Sequence, residues 1–273
     1  MSTHVEVVPR GGLARVVGRR IGDWIPAAVV FVLGITLWEG YVRGFDVESF
    51  LLPAPSAIVE TLFDDLDFFW SAGWFTFKEA VGGFAIGCSA GILFALVLAR
   101  WRPLGRAIMP YAIAANAIPI IAFAPITNNW FGVLNPFSKM AIAGVLCFFP
   151  VLINTLRGLT SVRPSQIELM RSYAANEFEI FRRVRVPNAT PFIFAALKVA
   201  TVLAMIGAIV GDYFGGSDDA LGIHIRRFVG ISAFEEAWAA IVVASALGIA
   251  FYAVVALAER LVAGWDPATR EQE

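Results

Sequence analysis

Apolar residues in this chain fall in long unbroken runs, unlike the narrow stripes of a surface helix or the alternation of a half-buried strand. A helix crosses a bilayer core with about 20 consecutive apolar residues, because it satisfies its own backbone and rises about 1.5 Å per residue. Six segments meet this requirement, at residues 24–42, 80–99, 107–126, 138–156, 191–210 and 237–257. They predict an all-α, polytopic membrane protein with six transmembrane helices. Pro110, Pro119 and Pro125 interrupt the third segment and imply kinks. Freed carbonyls at membrane depth are tolerated where protein or a water-filled path covers them, so this span either lines a passage or is a bent packing helix.

Between the first two spans, Ile58, Val59, Leu62, Phe63, Leu66, Phe69 and Trp70 recur at helical spacing with acids between them. This predicts an amphipathic helix over 57–70 at the outer surface, with Ser56 as its N-cap. No internal repeat and no second domain are visible. The expected organisation is a cytoplasmic arm at 1–23, a six-helix domain at 24–260 with a long inner loop at 157–190, and a cytoplasmic tail at 261–273.

Composition agrees with this picture. Of 273 residues, 58% are apolar and 16% charged, against roughly 25% charged in an ordinary soluble domain. A net charge of −1 gives no sign of a nucleic-acid partner. The charges matter by position. Arg10, Arg15, Arg19 and Arg20 precede the first span; Arg100, Arg102 and Arg106 follow the second; Arg157, Arg163, Arg171, Arg182, Arg183 and Arg185 fill the loop after the fourth; Arg260 and Arg270 follow the sixth. The alternate loops carry mainly acids, among them Asp46, Glu48, Asp64, Asp65, Asp67, Asp212, Asp218 and Asp219. Basic loops face the cytoplasm, so both termini are expected there. Lys198 is expected to snorkel from the inner end of the fifth span. The Arg-rich start lacks an A-x-A-like cleavage site and reads as a retained first span. Cys88 and Cys147 lie in apolar runs without a C-x-x-C spacing, as buried thiols do.

The inner loop is too long for a turn. Pro164 and Ser165 suit a helix start, with Gln166 to Tyr173 forming two turns. A second short helix follows, with Asn176 as N-cap, Glu177 and Glu179 in its first turn, Arg182, Arg183 and Arg185 towards its end, and Pro187 as its stop. So short a helix is marginal alone, and its apolar side wants a partner, either the inner ends of the chain's own spans or a separate soluble protein.

This loop resembles the EAA loop of ATP-binding-cassette importer permeases through Glu168-Leu169-Met170, then Ala174, then Val186-Pro187 and the run from Asn188 into Ala195-Ala196-Leu197-Lys198. The likeness extends to Leu52-Pro53-Ala54-Pro55 and to Ile118 through Pro125, and details are most similar to the nitrate, sulfonate and taurine branch, which also contains vitamin and pyrimidine-precursor permeases. Leu169 and Met170 replace the usual alanines, and Ala174 stands where the family has glycine. Because alanine resists positive φ, the turn is expected either at negative φ or with Asn176 in the unusual conformation.

The resemblance implies a type I importer permease fold, similar to methionine importers, that imports a small solute by alternating access. It implies a homodimer, cytoplasmic ATPase subunits that grip the loop, and an extracytoplasmic solute-binding protein. The ATPase contact would be made by Ala174, Ala175, Asn176, Glu177 and Phe178, with Glu168 and Arg171 holding the first helix. ATP shifts such a machine only by binding one state better than the other. The last outer loop, at 212–236, is then a landing surface for the binding protein or an ordinary solvated loop.

No P-loop is present, and His4 and His224 are too few and too far apart for a metal or triad constellation, so no cofactor is expected and the chain reads as a non-catalytic subunit. Polar groups in apolar runs mark candidates for the path: Asn116 in the kinked span, then Asn128, Asn129 and Trp130 at its outer end, with Phe123 among the aromatic residues. Asn116 suits a pathway contact or an interhelical hydrogen bond, and Asn128 and Asn129 also suit a loop cap. Aromatic residues outnumber basic ones there, favouring a flat or neutral solute over an inorganic anion. An ion-coupled carrier, the rival engine, requires buried acids or histidines within spans, and only Glu39 and Glu259, at span ends, are read as such.

Overall fold

Five of the six long apolar runs become helices that extend beyond them in the computed structural model, which describes residues 13–263 and contains no strand among them. The helices are α1 (Leu13–Gly44), α2 (Pro55–Asp64), α3 (Leu66–Arg100), α4 (Arg102–Asn116), α5 (Ala124–Phe131), α6 (Pro136–Thr160), α7 (Pro164–Ser172), α8 (Glu177–Ile180), α9 (Val186–Tyr213), α10 (Leu221–Gly230) and α11 (Phe234–Val262). A 3-10 turn (Ile120–Phe123) joins α4 to α5, and a π-helical turn (Phe181–Arg185) joins α8 to α9. Of the expected arm and tail, residues 1–12 and 264–273 lie outside the described residues, and 13–23 belong to α1.

Five stretches are long and apolar enough to cross a membrane: Ile25–Gly44, Leu66–Arg100, Pro136–Thr160, Glu177–Tyr213 and Phe234–Val262. The third expected span is instead a broken pair, Pro103–Asn116 and Ile120–Phe131, bent by 81°, and counts as a sixth span only if both arms are taken together. The cause is Pro119, whose ring lacks an N–H and holds the residue before it away from helical geometry. Pro110, by contrast, is accommodated inside α4.

The expected surface helix also divides. α2 ends at Asp64, and Leu66, Phe69 and Trp70 belong to the outer extension of α3. Ser56 is not the N-cap; Ala54 holds that position and Pro55 opens the helix. The Ser56 amide and hydroxyl donate to the Glu39 carboxylate at 3.0 and 2.7 Å, so an acid from α1 caps α2 from outside.

The centre of the fold is a tight sandwich of α3, α6 and α9. Its close approach comes from Gly83, Gly87 and Gly91, spaced four apart on α3. A Cβ at Gly87 would lie 2.1 Å from the Gly144 carbonyl oxygen of α6, and one at Gly91 2.8 Å from that of Phe148. A Cβ at Gly207 of α9 would lie 2.6 Å from the Ala143 Cα of α6. α11 closes the other side through Phe251, whose ring packs on Phe84 at 4.9 Å. α1 stands apart: Phe31 and Leu37 are exposed, and Trp38 reaches Trp238 at 5.3 Å. Cys88 and Cys147 are buried thiols. Lys198 does not snorkel; its ammonium meets Glu259 at 2.6 Å, tying α9 to α11.

Candidate coupling element and transport site

The inner loop is shorter than 157–190, because α6 runs to Thr160 and α9 begins at Val186. α7 ends in a Schellman turn: the Ala174 amide donates to the Arg171 carbonyl at 2.9 Å and the Ala175 amide to that of Met170 at 3.0 Å. Ala174 itself takes the left-handed conformation, at φ 56°, while Asn176 is extended at φ −78°. Both expected escapes from strain are therefore corrected. The turn's two hydrogen bonds need positive φ at that residue, whichever side chain occupies it.

Asn176 caps α8 as expected. Its side chain accepts from the Glu179 amide at 2.9 Å, and the Glu179 carboxylate accepts from the Asn176 amide at 2.9 Å, a reciprocal capping box. Arg171 pairs with Glu177 at 3.0 Å across the turn, and the buried Arg185 guanidinium lies 3.9 Å from the same carboxylate. Ile180 anchors the element in the core at 1% exposure, whereas Phe178 is 70% exposed at its tip. Glu168 is exposed on α7. Pro187 does not stop the second helix. It is the second residue of α9, directly after the π turn, whose shifted register (the Val186 amide donates to the Phe181 carbonyl) carries α8 into α9 without a break. Arg182, Arg183 and Arg185 thus lie within a continuous helix, not at a free C-terminus. A cavity of about 790 Å³ opens beside the hook, between Phe178 and Phe181 on one side and Arg100 of α3 with the following Trp101 on the other.

The path candidates separate in space. Asn116 ends α4 and is exposed, Phe123 is half-buried in the 3-10 turn, and Asn129 and Trp130 are exposed on α5. Asn128 is buried and serves as a strut: it accepts from the Ser138 hydroxyl at 2.9 Å and donates to the Gly215 carbonyl at 3.3 Å. In the last outer loop, Arg227 pairs with Asp218 at 2.5 Å, and the His224 ring packs on Phe68 at 4.6 Å. Burial, then the charge of Arg227, holds the His224 imidazole below its ordinary pKa.

One group escaped sequence reasoning. Thr76, Glu79, Lys139 and Asp212 are all buried, at 0, 3, 1 and 0% exposure, where α3, α6 and α9 meet near the outer ends of α6 and α9. The Thr76 hydroxyl donates to Asp212 at 2.8 Å and accepts from the Leu221 amide at 2.9 Å, and the Lys139 ammonium donates to the Val133 carbonyl. The expectation that buried acids are nearly absent from the spans is therefore wrong. Glu79 falls one residue before the expected second span, and Asp212 two after the fifth, so each reads as a loop charge. A lysine and two acids scattered over 134 positions carry no local signal.

A bundle of helices long and apolar enough to cross a membrane, with a capped hook between two of them, is the architecture of a multi-pass membrane protein. Residues 87–271 match the family described as binding-protein-dependent transport system inner membrane component, and the chain belongs to that family. It is similar to the formylaminopyrimidine transport permease protein ThiX of Halalkalibacterium halodurans, 32% identical over 236 residues that cover 86% of this chain and 93% of the relative. The riboflavin transport system permease protein RibX of Chloroflexus aurantiacus is 29% identical, over 87% of this chain and 89% of its own. A crystal structure of an amino acid ABC transporter with histidines shares the fold at a TM-score of 0.59 and 19% identity, covering 74% of this chain and 97% of its own. The chain is thus a multi-pass inner-membrane component of ATP-driven, binding-protein-dependent import.

Proposed function

We propose that α8 is the point at which cytoplasmic ATPase subunits grip this permease, with Ala174, Ala175, Asn176, Glu177 and Phe178 as the contact and Glu168 and Arg171 supporting α7. The observation that carries this is the combination of a rigidly capped, aromatic-tipped hook with unbroken helical continuity into α9. A displacement of the tip is then a displacement of a membrane-spanning rod, which a solvated loop would not transmit. The chain itself supplies no nucleotide chemistry in this reading. Both termini face the cytoplasm, and a second copy of the chain packs against α9, whose Val199, Val202 and Ile206 are exposed. The outer loop around α10 receives an extracytoplasmic solute-binding protein.

The bent α4–α5 pair, with Asn116, Phe123, Asn129 and Trp130, borders the path. The cargo class proposed is a flat nitrogen heteroaromatic, of pyrimidine-precursor or vitamin type. Aromatic side chains at the bend and the names of the two relatives above support it.

The test is reconstitution of the permease with its ATPase in vesicles, comparing wild type with Phe178→Ala and Glu177→Arg. Loss of a central aromatic anchor is expected to weaken association by about tenfold or more and to reduce uptake in proportion, with membrane insertion unchanged. Association and uptake equal to wild type in both variants would remove the coupling role. Competition of uptake by a formylaminopyrimidine, riboflavin, taurine and nitrate tests the cargo class, and inhibition by zwitterionic taurine or anionic nitrate alone would contradict it.

A further inference from the structure

The buried acids at the outer ends of α6 and α9 have a chemistry that transport coupling does not use. Among the described residues, four buried side-chain atoms lack a hydrogen-bond partner: Trp38 Nε1, Thr155 Oγ1, Glu79 Oε2 and Asp212 Oδ1. Two of the four are carboxyl oxygens of side chains that lie in hydrogen-bonding contact with each other. Two carboxylates have only acceptors to offer one another, so such a contact requires a hydrogen. A single proton supplies it, making one group the donor and the other the acceptor.

Charge leads to the same count. The charged groups facing the pair are Lys139 of α6 and, more distantly, exposed Lys78 of α3. With one proton on the pair, one carboxylate balances the buried Lys139 ammonium. With no proton the buried group carries an uncompensated negative charge, and with two an uncompensated positive one, each costly away from water.

We propose that Glu79 and Asp212 form a proton-binding site, one shared proton that latches the segment before α10 onto the outer ends of α3 and α9. The mechanical link is direct. A Cβ at Gly216 would stand 2.8 Å from Asp212 Oδ1, and one at Gly222 2.5 Å from Asp212 Cβ, so the segment lies flat against this side chain. Thr76 joins the same carboxyl to the first amide of α10. Removal of the proton sets two anions side by side beneath that segment, and their repulsion together with their hydration opens it. External alkalinity therefore loosens this end of the permease. That this end is external rests on the orientation above; the proton site does not.

The test uses purified permease in nanodiscs, without ATPase. Infrared spectra are recorded through an alkaline titration, and labelling of Ser217→Cys, in a background with Cys88 and Cys147 replaced by alanine, is followed over the same range. Wild type is expected to show a protonated-carboxyl C=O band that disappears on alkalinisation, while the labelling rate, divided by that of a free cysteine thiol at the same pH to remove the thiol's own ionisation, rises by about tenfold per pH unit as the latch deprotonates. Glu79→Gln, which keeps a donor towards Asp212 but cannot lose it, lacks the band and labels slowly throughout. A wild-type band that is absent at neutral pH, or that persists while labelling accelerates, overturns the proposal. So does a Glu79→Gln protein whose band or pH-dependent labelling matches wild type. Should that variant fail to insert, the wild-type titration decides alone, with Asp212→Asn as the second assignment of the band.

Discussion

The inner hook and the outer acid cluster are built on opposite plans. The hook is exposed and local: its capping box spans three residues and its Arg171–Glu177 pair six. The cluster is buried and distant, with Thr76 reaching 136 positions to Asp212 and 145 to Leu221. A local element keeps its shape while the bundle around it rearranges, which suits the gripping role proposed for it. A long-range one exists only when several helices are assembled, which suits a part that fixes their arrangement.

Breaking each plan separately sharpens the contrast. Asp212→Ala strips the Thr76 hydroxyl of its acceptor and Glu79 of its partner and is expected to cost about 1–3 kcal/mol, as leaving a buried donor unsatisfied does. Thermal unfolding in detergent, with Asp212→Asn as the milder comparison, measures it. Asn176→Ala removes the cap from α8 alone and is expected to cost about 1 kcal/mol, visible as faster proteolysis of the loop with global unfolding nearly unchanged. Equal effects of the two on global unfolding would erase the distinction drawn here.

Ala174→Gly acts in the opposite sense. Relief of the left-handed alanine is worth about 1–2 kcal/mol, offset in part by glycine's freedom in the unfolded chain, so the loop is expected to gain up to about 1 kcal/mol. Slower amide exchange at Ala175 and Asn176 would register it. The smallest effect concerns His224. Its pKa is depressed in the folded chain, so the fold favours the neutral ring; that contribution is complete above the ordinary imidazole pKa and is lost as pH falls through the depressed one. His224→Phe is expected to flatten the acid side of a Tm-against-pH profile and leave the alkaline side unchanged.

The same contrast explains what the amino-acid order disclosed. The spans, the Asn176 cap and the hook were legible because each is encoded within a few turns of chain, by hydropathy or by a residue pattern with a fixed hydrogen-bonding consequence. The division of the third span at Pro119 was only half legible: the prolines announced a bend, but no local residue pattern encodes its 81° angle. The Gly83–Gly87–Gly91 contact with α6 and the Glu79–Lys139–Asp212 grouping were not legible. Their partners lie on helices whose rotation no single segment specifies, and Glu79 and Asp212 sit where hydropathy changes sign, so each passes for a surface charge. Ala174 was misjudged for a different reason: propensity argued against its conformation, and the turn's hydrogen bonds outweighed propensity.

The π turn between α8 and α9 has a geometric effect on the rod that bears the hook. A π turn behaves as an α-helix with one residue inserted, and each residue of a helix advances its azimuth by about 100°. Phe178 therefore points where it does, relative to every side chain of α9, because of a single supernumerary residue within Phe181–Arg185. Excising one residue there would restore uniform winding and swing the aromatic tip about a quarter-circle around the axis, leaving helix length and composition almost untouched while aiming it in a different direction.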